Sequence, residues 1–110
     1  SMSEGTGNED TARVLEEIVQ LDPLDGEALM LLGQHHAARA EPDRAIFYFE
    51  RAASLESHEA AAKIRHAQIL VGLARYGEAL PLLRRAQELR PREDVARYIE
   101  QVDRLARLKR

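Results

Sequence analysis

Shifted against itself by 34 residues, the sequence repeats in residue size rather than identity. Gly33 falls on Ala67, Ala40 on Ala74, Ala45 on Ala79, Phe49 on Leu83, Ala52 on Ala86 and Leu55 on Leu89. Small positions stay small and large ones stay large. The same shift backwards sets Leu15 against Phe49, Ile18 against Ala52 and Leu21 against Leu55, with Pro23, Ser57 and Pro91 at matching ends. Helical periodicity alone would not keep side-chain size and helix breaker in step, so the chain is built from a repeated helix-turn-helix unit. One such unit cannot bury its apolar face; stacked on its neighbours it can, and the product is a solenoid.

Composition points the same way. Ala, Leu, Arg, Glu and Lys supply 61 of 110 residues and β-branched Val, Ile and Thr only 12, a balance that favours helix over strand. A first helix begins at Glu9, gathers Val14, Leu15, Ile18, Val19 and Leu21 on one face, and stops at Asp22-Pro23. Asp25 caps a second, which carries Leu29, Leu32, Gly33 and His36 and ends near Ala40. Pro42 opens a third with Ala45, Phe49, Ala52 and Leu55 inside, and Ser57 is expected to cap a fourth that runs to about Leu73. The fifth follows Tyr76-Gly77, buries Ala79, Leu83, Ala86 and Leu89, holds Pro81 in its first turn and ends at Pro91. The last, from Arg92, aligns Val95, Tyr98, Ile99, Val102, Leu105 and Leu108. About six helices leave no room for a sheet, so the class is all-α. Residues 1–8 are polar and aperiodic and are expected to be disordered, with Ser1-Met2 reading as an expression remnant. Residues 9–110 are one domain, whose incomplete first unit hints at a longer parent protein.

Leu29, Leu32, Gly33 and His36 followed by Ala45, Phe49 and Ala52 stand in order at the positions of the pattern W-x2-L-G-x2-Y, then A-x3-F, then P. Lys63, His66, Ala67 and Leu70 followed by Tyr76, Ala79, Leu83, Ala86 and Pro91 do so again. On these residues the chain resembles the tetratricopeptide repeat (TPR) family over about residues 9–110, most closely from Tyr76 to Pro91. The resemblance implies a right-handed α-solenoid of antiparallel helix hairpins, with a partial repeat helix at 9–23, repeats at 26–59 and 60–93, and a capping helix at 94–110. Repeat packing falls to Leu29, Leu32, Gly33, Ala45, Phe49, Ala52, Ala67, Ala79, Leu83 and Ala86. Lys63 and His66 stand where the family has an aromatic residue and a leucine, and Ser57 replaces a terminal proline.

The resemblance also implies a concave groove, lined by the first helix of each hairpin, that receives a peptide or protein segment. Mapped onto this sequence, its lining is Met30, Gln34, Ala37, Ile64, Gln68 and Val71, with Arg65 and Lys63 near the rim. Members that grip the acidic tails of heat-shock chaperones carry Lys and Asn at the places of Met30 and Gln34, so that role is not expected here. A groove of mixed apolar and amide character suits an amphipathic or main-chain-presenting segment. Met30 and Ile64 either line that groove or widen the buried face.

Other chemistries find no support. Without Cys, thiolate metal sites and cysteine nucleophiles are excluded, and His35 and His36 point about 100° apart on a helix, so no metal is expected. Phosphate-binding and nucleophile-elbow motifs are missing; neither a catalytic residue nor a cofactor is assigned. Residues 1–60 hold 13 acids and 4 bases and residues 61–110 hold 6 acids and 12 bases. That dipole motivates an alternative function, a self-associating scaffold in which the acidic half of one copy meets the basic half of another. Arg84, Arg85, Arg90, Arg92, Arg97, Arg104, Arg107, Lys109 and Arg110 form a basic end, but interleaved acids and a lone Tyr98 argue against nucleic acid. No membrane span is visible. The expected compartment is the cytoplasm, or the periplasm if a leader has been removed, and the Arg-rich, Lys-poor usage fits a bacterial source.

Overall fold

The computed structural model describes residues 3–109, with side chains from residue 9 onward; Ser1, Met2 and Arg110 lie outside the described residues. Six α-helices follow in order: α1 Ser3–Leu21, α2 Gly26–Ala38, α3 Pro42–Ala53, α4 Glu59–Gly72, α5 Tyr76–Leu89 and α6 Glu93–Lys109. A single 3-10 turn, Glu56–His58, precedes α4, and no strand occurs among the described residues. α1 starts at Ser3, ahead of the Glu9 start that periodicity sets, because a polar run can prolong a helix already nucleated. Each helix packs chiefly on its neighbours in the chain. A compact chain of this length would have a radius of gyration of about 13 Å; this one has 15.1 Å, with extents of 43 × 30 × 21 Å. Such elongation belongs to hairpins stacked side by side rather than to a closed bundle.

Both hairpins turn by the same device. α2 and α4 are each followed by an alanine in the left-handed region, Ala40 at φ 58° and Ala74 at φ 60°. Around the first, the Glu41 N–H donates to the His36 carbonyl (2.9 Å) and the Ala40 N–H to that of Ala37 (3.1 Å). Around the second, Arg75 donates to Leu70 (2.8 Å) and Ala74 to Val71 (2.9 Å). This pair of bonds satisfies the last carbonyls of the helix and reverses the chain. Glycine would be the unstrained choice; an alanine Cβ costs roughly 1–2 kcal/mol at each site.

Two local expectations change. Ser57 does not cap α4: its hydroxyl meets His58 Nδ1 at 2.8 Å, and α4 starts after His58 with no side-chain cap. Ser57 stands one residue too early to reach the first free amides of the helix. Pro81 is the sixth residue of α5 and not part of its first turn, because the helix begins at Tyr76. The Asp25 cap is present, with its carboxylate accepting from the Ala28 N–H at 3.0 Å.

Apolar residues form two buried clusters. One joins Ala12, Leu15 and Val19 of α1 to Leu29, Met30 and Leu32 of α2, Ala45, Phe49 and Ala52 of α3, and Ala62. The other joins Ala67, Leu70, Ala79, Leu80, Leu83 and Val102. All ten residues expected to pack the repeats are buried. Val14 and Leu21 are instead exposed, at 54% and 88%, because α1 turns its Ala12–Leu15–Val19 stripe to α2 and these two lie on another stripe. Leu89, Leu105 and Leu108 are exposed as well.

His66 occupies in the second repeat the place of fully buried Leu32 in the first. Burial lowers its pKa from the ordinary 6.5, opposed by the Glu50 and Glu78 carboxylates and reinforced by Arg75. The folded chain therefore resists a proton that the unfolded chain accepts near pH 6.5, so stability is full above that pH and declines as pH falls through it. Between about pH 7.5 and about pH 5.5 the wild type should lose urea resistance, and His66→Leu should lose less. Equal losses in the two proteins would remove His66 as the cause.

Candidate functional site

Three depressions lie in line across α1, α2, α4 and α6. The first, about 360 Å³, is walled by Thr11, Leu15, Leu31, Gln34, His35, Ala38 and Arg39. The second, about 390 Å³, is bounded by Gln34, Ala37, Ala38, Arg65, Gln68 and Ile69 over the Phe49 ring. The third, about 480 Å³, adds Ala61, Ile64, Arg92, Asp94, Val95 and Tyr98 to Arg65 and Gln68. Gln34 and Ala38 belong to the first two, Arg65 and Gln68 to the last two. The three are therefore one continuous trough. Its regularity comes from the repeat, which sets Gln34 and Gln68 at equivalent places on α2 and α4. Neither amide is bonded to another side chain or to the backbone among the described residues.

Of the residues expected to line a groove, Gln34, Ala37, Ile64, Arg65 and Gln68 do so. Met30 does not. It is 9% exposed and packs in the first core cluster with Ala12 and Leu15, because α1 covers that side of α2. Val71 is half-buried against the second cluster and lines none of the three depressions. Lys63 is also lost as a rim contact: its ammonium sits 2.6 Å from Glu59, which accepts Arg85 at 3.2 Å too. The shared Lys63 and Arg85 bonds hold the Glu59 carboxyl below its usual pKa. Unanticipated walls include Leu15, Leu31, Val95 and Tyr98, and the charged Arg39, Arg92 and Asp94. The 34-residue shift does point to Leu31, since it is the counterpart of Arg65.

Between α5 and α6 the polar groups engage one another. A depression of about 500 Å³ lies between the start of α5 and the end of α6, but Arg75 is paired with Glu78, Arg107 with Asp103, and Lys109 donates to the Ala74 carbonyl. Within the basic end, Arg107 and Arg84 share Asp103, and Arg92 meets Asp94. His36 is buried, stacked parallel on Tyr48 at 5.5 Å and joined through Nδ1 to Glu41 at 2.7 Å. It packs the α2–α3 turn. Among the described residues no cluster of His, Asp and Glu is placed to hold a metal ion, and no helix is long and apolar enough to cross a membrane.

No protein-family model matches the chain, and no curated protein matches its sequence. Solved structures do match. The Yersinia enterocolitica type III secretion translocator chaperone SycD superposes with a TM-score of 0.79 at 23% identity, over 91% of this chain and 74% of that one. SycD in complex with a peptide of the translocator YopD gives 0.81 at 21% identity, over 97% and 86%. The fold is TPR-like. At these identities the likeness is one of architecture: a right-handed α-solenoid of antiparallel hairpins, with six α-helices among the described residues.

Proposed function

We propose that this chain is a bacterial TPR-family domain, organised with a partial repeat at 9–23, repeats at 26–59 and 60–93 and a cap at 94–110. It acts without catalysis by binding a peptide or protein segment in its trough. The observation that carries this reading is the continuity of the trough across α1, α2, α4 and α6, with unpaired amides along it. Apolar depressions separated by free donors and acceptors suit a chain that brings both side chains and main-chain groups. SycD, of like fold, has been solved with a YopD peptide, which supports a peptide of a client protein as the ligand.

Random peptides displayed on phage test it. The wild type should enrich a family of related sequences. Ala37→Arg, which fills the middle of the trough from an exposed position, should weaken their binding at least tenfold, roughly the loss of one well-made contact region. Phe47→Arg, on exposed α3, should leave it unchanged. A wild type that enriches nothing, or peptides indifferent to Ala37→Arg, would end the proposal. A second reading, self-association, is favoured by the exposed Val14, Leu21 and Leu24 at the leading end. Light scattering across concentration decides it: a monomer throughout removes that reading.

A further inference from the structure

We infer that the trough selects a segment with one carboxylate side chain between two apolar ones, the carboxylate seated on Arg65. The inference rests on the peptide-binding reading above and specifies its ligand. Four charged residues line the trough: Arg39, Arg65, Arg92 and Asp94. Three bases against one acid leave the lining at +2, in a chain whose formal net charge is −3. The trough is thus positive although the chain as a whole is negative.

Of the three guanidinium groups, two are engaged. Arg92 is held by Asp94 through bonds of 3.0 and 2.6 Å, and Arg39 leans on Glu41 at 3.7 Å. Arg65 has no acidic partner among the described residues. It is exposed, and it belongs to the walls of both the middle and the third depression. A planar guanidinium with its donors unspent is matched by a carboxylate, which can accept two parallel bonds from it.

The repeat then fixes the register. One unit earlier the place of Arg65 is taken by Leu31, a wall of the first depression. Apolar side chains thus fit at the Leu15–Leu31 end and at the Ile64–Val95–Tyr98 end, while the carboxylate fits between. Gln34 and Gln68 flank the middle position, where their amides can pair with the main chain of an extended segment. Arg65 is the one lining base without an acidic partner among the described residues, so a single carboxylate is the better match.

Phage selection with wild type and Arg65→Glu tests this, because Arg65 is exposed and unpaired and its replacement leaves the core intact. The wild-type pool should align on one Asp or Glu flanked by apolar residues, and the Arg65→Glu pool should carry Lys or Arg there. For one selected peptide, amidating that acid should weaken wild-type binding roughly five- to tenfold and leave binding to Arg65→Gln unchanged. A wild-type pool without an aligned acid, or an acid that persists in the Arg65→Glu pool, overturns the inference while Ala37→Arg sensitivity keeps the trough as the site. Loss of that sensitivity would instead overturn the peptide-binding reading beneath it.

Discussion

Replacing Gly33 with alanine should destabilise the domain by about 1–3 kcal/mol, and adding Phe49→Leu should restore much of the loss. The reason lies in one close approach between α2 and α3. A Cβ built on Gly33 would stand 2.5 Å from Cε1 of the Phe49 ring, far inside contact distance, and that ring is 1% exposed and has nowhere to retreat. The second repeat solves the same packing problem with Ala67 and Leu83, both fully buried. One methyl more on the first helix is matched by a smaller side chain on the second. The double variant rebuilds that combination in the first repeat. Urea unfolding of the wild type, both single variants and the double variant gives the coupling; strictly additive losses would mean that the two positions do not share the space assigned to them.

Pro81→Ala should raise stability by up to about 3 kcal/mol, the cost of proline in a helix interior. As the sixth residue of α5, Pro81 has no N–H to offer the Gly77 carbonyl one turn back, and its ring crowds that oxygen. Both residues are exposed, so water can reach the carbonyl and the helix persists, with the strain confined to its outer side. Part of the gain is offset because proline also restricts the unfolded chain. A thermal midpoint unchanged by the substitution would show that α5 accepts the ring without strain.

Much of the fold was legible because the repeat carries its own check. Gly33 with Ala67, Phe49 with Leu83, and Ala40 with Ala74 each mark a place where two helices meet or the chain reverses, and size had to be kept at all three. What escaped depended on helices meeting across the sequence. Met30 has the same helical period as a groove residue, and only the reach of α1 over α2 hides it. Lys63 and Arg65 are two residues apart and chemically alike, yet Glu59 engages the first and leaves the second free. Val14 and Leu15 are both apolar, and which of the two stripes of α1 turns inward is decided by the shape of α2. Pro81 was misplaced for a simpler reason: the start of α5 slips by a residue or two, and a first turn becomes an interior.

Because each helix leans mainly on its chain neighbours, the molecule has no single keystone and should open progressively from its tips. α1 and α6, each flanked on one side only among the described residues, would exchange their amide hydrogens before the α3–α4 junction does. The outer walls of the trough belong to those two helices, and its midpoint to α2 and α4. A captured segment could then be peeled away from either end while its centre remains fastened, so release need not wait for the whole domain to unfold.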